Sequence, residues 1–503
     1  MPGHLVSGIS RRHFIRTAAG AGLGLAIAER VLADPLRPLF AATEKRSFFT
    51  IRGVVKGKGK GLGNVVVSDG VSVVATDRDG TFSFPADSSS RFVFLSHPSG
   101  YDIPVSQFGT TALFKALPRR PAGDVSVEWD LTPSASSDDH HGFLFLADPQ
   151  MLDAADVASF NAETIPDVIE TRKRLGSLPL FGVSCGDIMF EHLEFYAGYE
   201  QAVQCTGMPF FQVPGNHDVD NAAMTDETSV ETFTRRFGPG DYSFNRGEVH
   251  YVVLDDVLWI DNGYIGYLSQ AQLDWLKADL SFVEKGKTVI VFMHIPPYCT
   301  QHIREGKPQP DRGLVLVNRE ALYGALEPYR AHVVVGHMHE SEHLTDNGAH
   351  VHVCGAVCGA WWTGPICGDG TPKGYGIYEI KGSDVRWRYK STGFAPDHQL
   401  VVHPPGSDPQ VPESIIANVW DYDPSWTVVW YEDGERKGKM EMRRGLDPLA
   451  VKLYAGANLP ARHGWADPYV TDHLFHALPS GQAKKIVVEA TDRWGRVARA
   501  VLE

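Results

Sequence analysis

Between residues 140 and 340 the chain repeats one event five times. A short apolar run, rich in β-branched and aromatic residues, stops abruptly at Asp, Asn or His. Phe143-Leu144-Phe145-Leu146 precedes Asp148, and Leu180-Phe181-Gly182-Val183 precedes Gly186-Asp187. Phe210-Phe211-Gln212-Val213 precedes Gly215-Asn216-His217-Asp218, Thr288-Val289-Ile290-Val291-Phe292 precedes His294, and His332-Val333-Val334-Val335 precedes Gly336-His337-Met338-His339. Runs this short suit strands buried on both faces, where no polar alternation is needed. Between them, 158–176 and 270–280 carry a helical pattern. Strands alternating with helices predict an α/β domain over about 140–393, and such domains place their chemistry just past the strand ends.

The rest of the chain follows a different pattern. At 503 residues it is too long for one core, so more than one domain is expected. Residues 45–133 hold short β-branched runs broken by Gly and Asp, which predicts a small β-sandwich. Within it, Asp77-Arg78-Asp79-Gly80 reads as a tight turn, since the rest of a calcium-loop pattern is missing. A Ser/Asp-rich linker spans 133–139. Residues 394–503 return to β pattern, with Glu432-Asp433-Gly434-Glu435 as a hairpin turn, and predict a second β-sandwich.

The first 44 residues read as a leader. Ser10-Arg11-Arg12-His13-Phe14-Ile15-Arg16 is followed by a short Ala/Gly/Leu stretch and by Ala26-Ile27-Ala28, an A-x-A cleavage pattern. This is similar to a twin-arginine export signal, which implies a periplasmic or extracellular protein. No later run is long and apolar enough for a transmembrane anchor. The net charge of -14 argues against a general nucleic-acid platform. The six cysteines form no C-x-x-C pair. Cys185 reads as a buried small hydrophobe, and pairing among Cys354, Cys358 and Cys367 stays open.

The residues at the five strand ends have a shared chemistry. Asp, Asn and Gln oxygens with His nitrogens suit divalent Mn, Fe, Zn or a mixed pair. A carboxylate can bridge two such ions, and the pair can clamp a phosphoryl group and generate hydroxide. Asp148 and Gln150, and likewise His337 and His339, are two residues apart and would point the same way on an extended strand end. Glycines beside Asp187 and Asn216 would let backbone approach the site closely.

The ordered set D-x-Q, G-D, G-N-H-D, H, G-H-x-H resembles the calcineurin-like metallophosphoesterase superfamily. Gly359-Ala360-Trp361-Trp362-Thr363-Gly364-Pro365, Gly374-Tyr375, Asn418-Val419-Trp420-Asp421, Thr471-Asp472-His473-Leu474-Phe475 and Thr491-Asp492-Arg493-Trp494-Gly495 extend the likeness to a bacterial form with N-terminal and C-terminal flanking domains. The resemblance implies a four-layer α-β-β-α sandwich between two small all-β domains. It also implies a ligand scheme. Asp148, Gln150, Asp187 and His339 would hold one metal, and Asp187, Asn216, His294 and His337 the other, with Asp187 bridging. His217 would protonate the leaving oxygen, oriented by Asp218 or Glu191.

One departure matters. The family's first motif is usually D-x-H, and Gln150 stands in place of that His. An amide oxygen is a harder, neutral ligand, so the first metal is expected to bind more weakly. The implied activity is hydrolysis of phosphate mono- or diesters of a small phosphorylated substrate. Trp361, Trp362 and Tyr375 are candidates for the substrate pocket, or equally for core. The alternative is a secreted binding or scaffold protein with a relic site, and a metal assay separates the two.

Overall fold

The computed structural model describes residues 48–119, 121–261 and 263–503; the twin-arginine segment lies outside them. Three bodies follow one another along the chain.

The first is a β-sandwich. The strand Phe48–Gly57 pairs antiparallel with Thr81–Asp87 and parallel with Val125–Leu131, and faces a second sheet of Val66–Ser68, Val73–Ala75, Phe92–Ser96 and Phe114–Ala116. Thr81–Asp87 buries alternate residues, sending Phe82, Phe84 and Ala86 into the core with Ile51, Val67 and Trp129. Asp77 Oδ1 accepts from the amides of Asp79 and Thr81, so this segment is a side-chain-closed turn, as its composition suggests.

The central body has two facing sheets. One runs in the order Phe210–Val213, Leu180–Cys185, His140–Ala147, Gly374–Lys381, Asp384–Ser391, its first three strands parallel. The other runs Tyr242–Arg246, Val249–Val253, Thr288–Phe292, Arg330–Val335, Ala349–Val353, Glu342–Asp346. The apolar runs are continuous because each strand feeds two cores. Along His140–Ala147, Phe143 and Phe145 point between the sheets, while Leu144 and Leu146 point to the helices on the outer face. Between the sheets aromatic rings interlock: Phe143 lies 5.2 Å from Phe292, and Phe211 lies 3.9 Å from Phe244. Each such pair is worth about 0.5–1.5 kcal/mol beyond its buried area, enough to fix how the sheets register.

Helices close both outer faces. Residues of Ile165–Arg174 and Tyr196–Thr206 pack on the first sheet, and those of Gln270–Leu280 and Arg319–Leu326 join the core of the second. Gln270–Leu280 matches its predicted bounds and starts at a reciprocal Ser269/Gln272 cap. The 158–176 prediction needs correction. The helix starts at Ala154, capped by Asp153, and passes through a wide turn at Phe160–Thr164 before Ile165–Arg174.

The third body is again a β-sandwich, of two four-stranded sheets around Val419, Val428, Trp430, Phe475 and Val488. Its Asp433-Gly434 turn takes positive φ at both residues, +47° and +89°, as the two-residue hairpin there requires. The chain is thus a mixed α/β fold with a central, sheet-rich domain between two smaller β-rich regions. Among the described residues no helix is long and apolar enough to cross a membrane. The cysteines are free thiols, and Cys185 is buried in its strand with its thiol on the Met293 carbonyl.

Candidate metal centre

All five polar strand ends converge at one edge of the two sheets. The ligand atoms of Asp187, His294 and His337 lie within 4.8 Å of one another, and all three residues are buried. Asp148, Gln150, Asn216 and His339 are buried beside them.

The route by which they converge differs from expectation. Asp148/Gln150 and His337/His339 do share a site, but not through an extended strand end. Asp148, Gln150, Asp187, His337 and His339 all adopt left-handed backbone, with φ of 50°, 38°, 46°, 69° and 50°. At three of the five ends the strand stops and the ligand residues curl left-handed, which turns the alternate side chains of the Asp148 and His337 loops inward. This conformation costs about 1–3 kcal/mol per residue and persists where the surroundings over-determine it, commonly at functional sites. Glycine makes the crowding possible. A Cβ on Gly215 would sit 2.1 Å from the Asp187 nitrogen, and one on Gly186 would sit 2.1 Å from His294 Nδ1.

The hydrogen bonds reveal which atoms are left for an ion. His294 Nδ1 lies 3.2 Å from the Cys185 carbonyl, His337 Nε2 lies 2.8 Å from the Gly313 carbonyl, and His339 Nδ1 lies 2.9 Å from the Gly359 carbonyl. A carbonyl only accepts, so these are the protonated nitrogens, and each ring aims its other nitrogen inward. The inward atoms then meet acceptor to acceptor. His294 Nε2 is 3.2 Å from His337 Nδ1, 3.2 Å from Asn216 Oδ1 and 3.2 Å from Asp187 Oδ1. His339 Nε2 is 3.4 Å from Asp148 Oδ1. Asp148 Oδ1 and Gln150 Oε1 are buried and accept no hydrogen bond. Lone pairs gathered in this way need a cation, and imidazoles fixed through their far nitrogen are typical of metal sites.

The electrostatics agree. Burial pushes the Asp187 carboxyl up, but His294, His217 and His337 outweigh it and hold the group well below the usual range. Burial pulls His294 down, yet Asp187 and Asp148 draw it up to about 10. The pocket demands positive charge beside Asp187, which a proton or a divalent ion can supply. The residues present therefore fit a metal.

Around these atoms the remaining candidates take distinct places. Gln150 Nε2 donates to Asp187 Oδ2 at 2.7 Å. The His217 amide donates to Asp187 Oδ1 at 2.9 Å; its ring stacks on Phe190 at 4.4 Å and puts Nδ1 3.5 Å from Glu191 Oε1. Burial lowers the His217 pKa, but Asp187 and Glu191 raise it further, so the net shift is upward.

Asp218 does not orient that ring. Its two oxygens accept from the amides of Ile188, Met189 and Gly215 and from the Tyr196 hydroxyl, so it ties the Asp187 loop to the Asn216 loop. Tyr375 is corrected too. It is buried in the helix–sheet core with its hydroxyl on Asp167 and Thr171. Trp361 stacks on His339 at 4.6 Å and stays at the site. Trp362 braces the first ligand loop by donating to the Pro149 carbonyl at 2.8 Å.

Some functional neighbours were missed. Asp256 accepts from the backbone amides of His294 and Ile295 and anchors that ligand; it follows a sixth apolar run, 249–254, that carried the same signal. Tyr264, on the hairpin Val257–Ile260/Gly263–Gly266, sits 5.9 Å from the His337 ring. His463 and Trp465, from the third body, lie against Phe190 at ring separations of 6.5 Å.

Comparison with known proteins matches three family models in series. They are described as the N terminal of calcineurin-like phosphoesterase over 49–132, calcineurin-like phosphoesterase over 141–341, and the C terminal of calcineurin-like phosphoesterase over 351–497. A serine/threonine-protein phosphatase of Mus musculus, CPPED1, is 33% identical over 138 residues, which is 25% of this chain and 44% of that protein. A 3',5'-cyclic-nucleotide phosphodiesterase of Nostoc is 27% identical over 149 residues, 29% of this chain and 50% of that protein. The chain thus spans half or less of the length of these relatives. Among solved structures, a dimetal phosphatase from Danio rerio is 15% identical with a TM-score of 0.35, covering 50% of this chain and 96% of that one.

Proposed function

Since the chain belongs to the calcineurin-like phosphoesterase family, matched in series across its three bodies, we propose that it is an exported phosphoesterase working with two divalent metals, bridged by Asp187. Asp187, Asn216, His294 and His337 would hold one ion. Asp148, Gln150, Asp187 and His339 would hold the other, with the Gln150 Nε2 hydrogen bond steadying Asp187. The single observation that carries this reading is the set of three imidazoles, each fixed on a backbone carbonyl by one nitrogen, whose other nitrogens gather with the buried oxygens of Asp148, Asp187 and Asn216. When bound, such a metal pair neutralises phosphoryl charge and activates a water at neutral pH.

The protein's own side chains complete the reaction. His217, its Nδ1 turned to Glu191, delivers a proton from Nε2 to the leaving oxygen. Asp218 holds the loop that carries it. Phe190 presses on the opposite ring face and keeps the imidazole upright. The substrate is a small phosphate mono- or diester.

The test is Asp187→Ala. The variant should lose most bound metal by elemental analysis and essentially all turnover of phosphate esters. Unchanged metal content would sink the ligand scheme. Export by the twin-arginine route is proposed from Arg11-Arg12; replacing both by Lys should leave the precursor in the cytoplasm, and normal export would refute that route.

A further inference from the structure

One segment of the third body returns to the metal centre. After the helix Pro448–Tyr454 the chain runs back across the central domain. Arg462 Nη2 bonds Asp153 Oδ2 at 3.0 Å and Asp156 Oδ2 at 2.7 Å, on the stretch that follows the Asp148–Gln150 ligand loop. The Arg462 carbonyl accepts from Thr363 Oγ1 at 2.7 Å, next to Trp361 and Trp362. The segment is therefore pinned between two loops of the site.

The next residue is costly to place. His463 is 5% exposed, its backbone is left-handed at φ +52°, and both ring nitrogens lack a hydrogen-bond partner. A buried imidazole with two unmet positions loses its bonds to water without replacement, so its retention calls for a ligand. Its ring stands edge-on to Trp465 at 4.6 Å and to Phe190 at 6.5 Å. Phe190 stacks on His217; Trp465 lies 6.4 Å from Trp361, which stacks on His339. Ring contacts thus run unbroken from His217 to His339, and His463 sits on that wall.

We propose that His463 is a specificity-determining residue that receives the leaving group, and that this group is a neutral ring with a hydrogen-bonding edge, a nucleoside or a sugar, laid against Phe190 and Trp465. The inference rests on the phosphoesterase reading and deepens it. Burial, helped by Arg462, lowers the His463 pKa to about 4, so the imidazole is neutral near pH 7. A neutral donor–acceptor suits hydroxyl or amide edges, whereas a phosphate would call for charge. Aromatic faces suit flat bases and the apolar faces of sugars.

Two measurements on the metal-loaded, full-length protein test it. The first compares kcat/KM for adenosine 5′-monophosphate, glucose 6-phosphate and ethyl phosphate in the wild type, His463→Phe and Trp465→Leu. Either variant should lose roughly 10- to 100-fold on one ring ester, the size of a lost buried hydrogen bond or ring contact, and little on ethyl phosphate. His463→Asn tolerates the left-handed backbone and keeps a donor and an acceptor, so it should restore much of the loss. A fall on adenosine 5′-monophosphate alone identifies the nucleoside, and on glucose 6-phosphate alone the sugar. Equal losses on all three esters, or none, overturn the proposal. The second measurement is calorimetric binding of adenosine and of methyl glucoside, which need no turnover. Wild-type binding that His463→Phe weakens at least 10-fold supports the site even if no ester is hydrolysed, which would fail the phosphoesterase reading alone. Absence of binding to both compounds overturns it.

Discussion

Acid should loosen the seam between the first sandwich and the central domain, through two histidines buried in their neutral form. The His97 carbonyl accepts from the Asn245 amide at 2.8 Å, and Arg246 bridges to the Tyr101 carbonyl at 2.9 Å and to Asp138 at 3.4 Å. His141 has Nδ1 on the Asp138 carbonyl at 2.6 Å and Nε2 on the Tyr251 hydroxyl at 2.6 Å. Burial, with Arg246 nearby, pulls both groups from 6.5 down to about 4. The unfolded chain therefore binds more protons between these values, so stability is present above pH 6.5 and is lost as pH falls toward 4. From pH 7 to pH 5 the linkage is about 2 kcal/mol per histidine, or about 4 kcal/mol for both, against a typical total of 5–15 kcal/mol. Buried carboxyls oppose this. Burial raises Asp218 and Asp256 to about 7 and Asp241 to about 6, and these favour the folded state as pH falls. The difference between wild type and a His97→Gln/His141→Gln double variant isolates the histidine share. Urea unfolding at pH 7, 6 and 5 should show the variant losing about 4 kcal/mol less than the wild type over this range. Parallel profiles for the two proteins would refute the reasoning.

Three further outcomes are expected at the metal centre. His217→Ala should keep its metal by elemental analysis yet lose roughly 10²- to 10⁴-fold in turnover of alkyl esters, with a smaller loss on p-nitrophenyl esters, whose leaving group needs little protonation; equal losses on both would assign the ring to phosphate positioning instead. Gly215→Ala should reduce metal content, because its new Cβ lies 2.1 Å from the Asp187 nitrogen and 2.4 Å from Asp187 Oδ1; full metal occupancy in a folded variant would show that the loop can give way. Gln150→His should hold its metal against a chelator at least as well as the wild type, imidazole being the stronger ligand for Zn-like ions; faster metal loss would show that the hydrogen bond from Gln150 Nε2 to Asp187 matters more than ligation.

Much of the site was legible because its logic is local. A strand buried on both faces must be apolar throughout, so the residue at which that run breaks is conspicuous, and five runs broke at ligand types. The roles of Gly186 and Gly215 followed from the same local reading, since only a residue without Cβ leaves the space they leave. The helix Gln270–Leu280 was legible through its helical pattern, and the structure adds the Ser269 cap that starts it.

What the sequence could not decide were matters of direction and distance. Asp148 and Gln150 are spaced for one side of an extended strand, yet it is the left-handed backbone imposed by the packed loops that brings them together. Asp218 and Glu191 were equal candidates beside His217; only the fold turns Glu191 to the ring and spends Asp218 on three amides and Tyr196. Tyr375 shares its neighbourhood in sequence with Trp361 but belongs to a strand whose pleat sends it to Asp167 and the helix core. His463 and Trp465 reach Phe190 from another domain, hundreds of residues along the chain. Residue type and spacing set the chemistry a strand end can offer. Which side chains meet depends on how sheets, loops and domains pack, because that contact is created only when distant parts of the chain bury surface against each other.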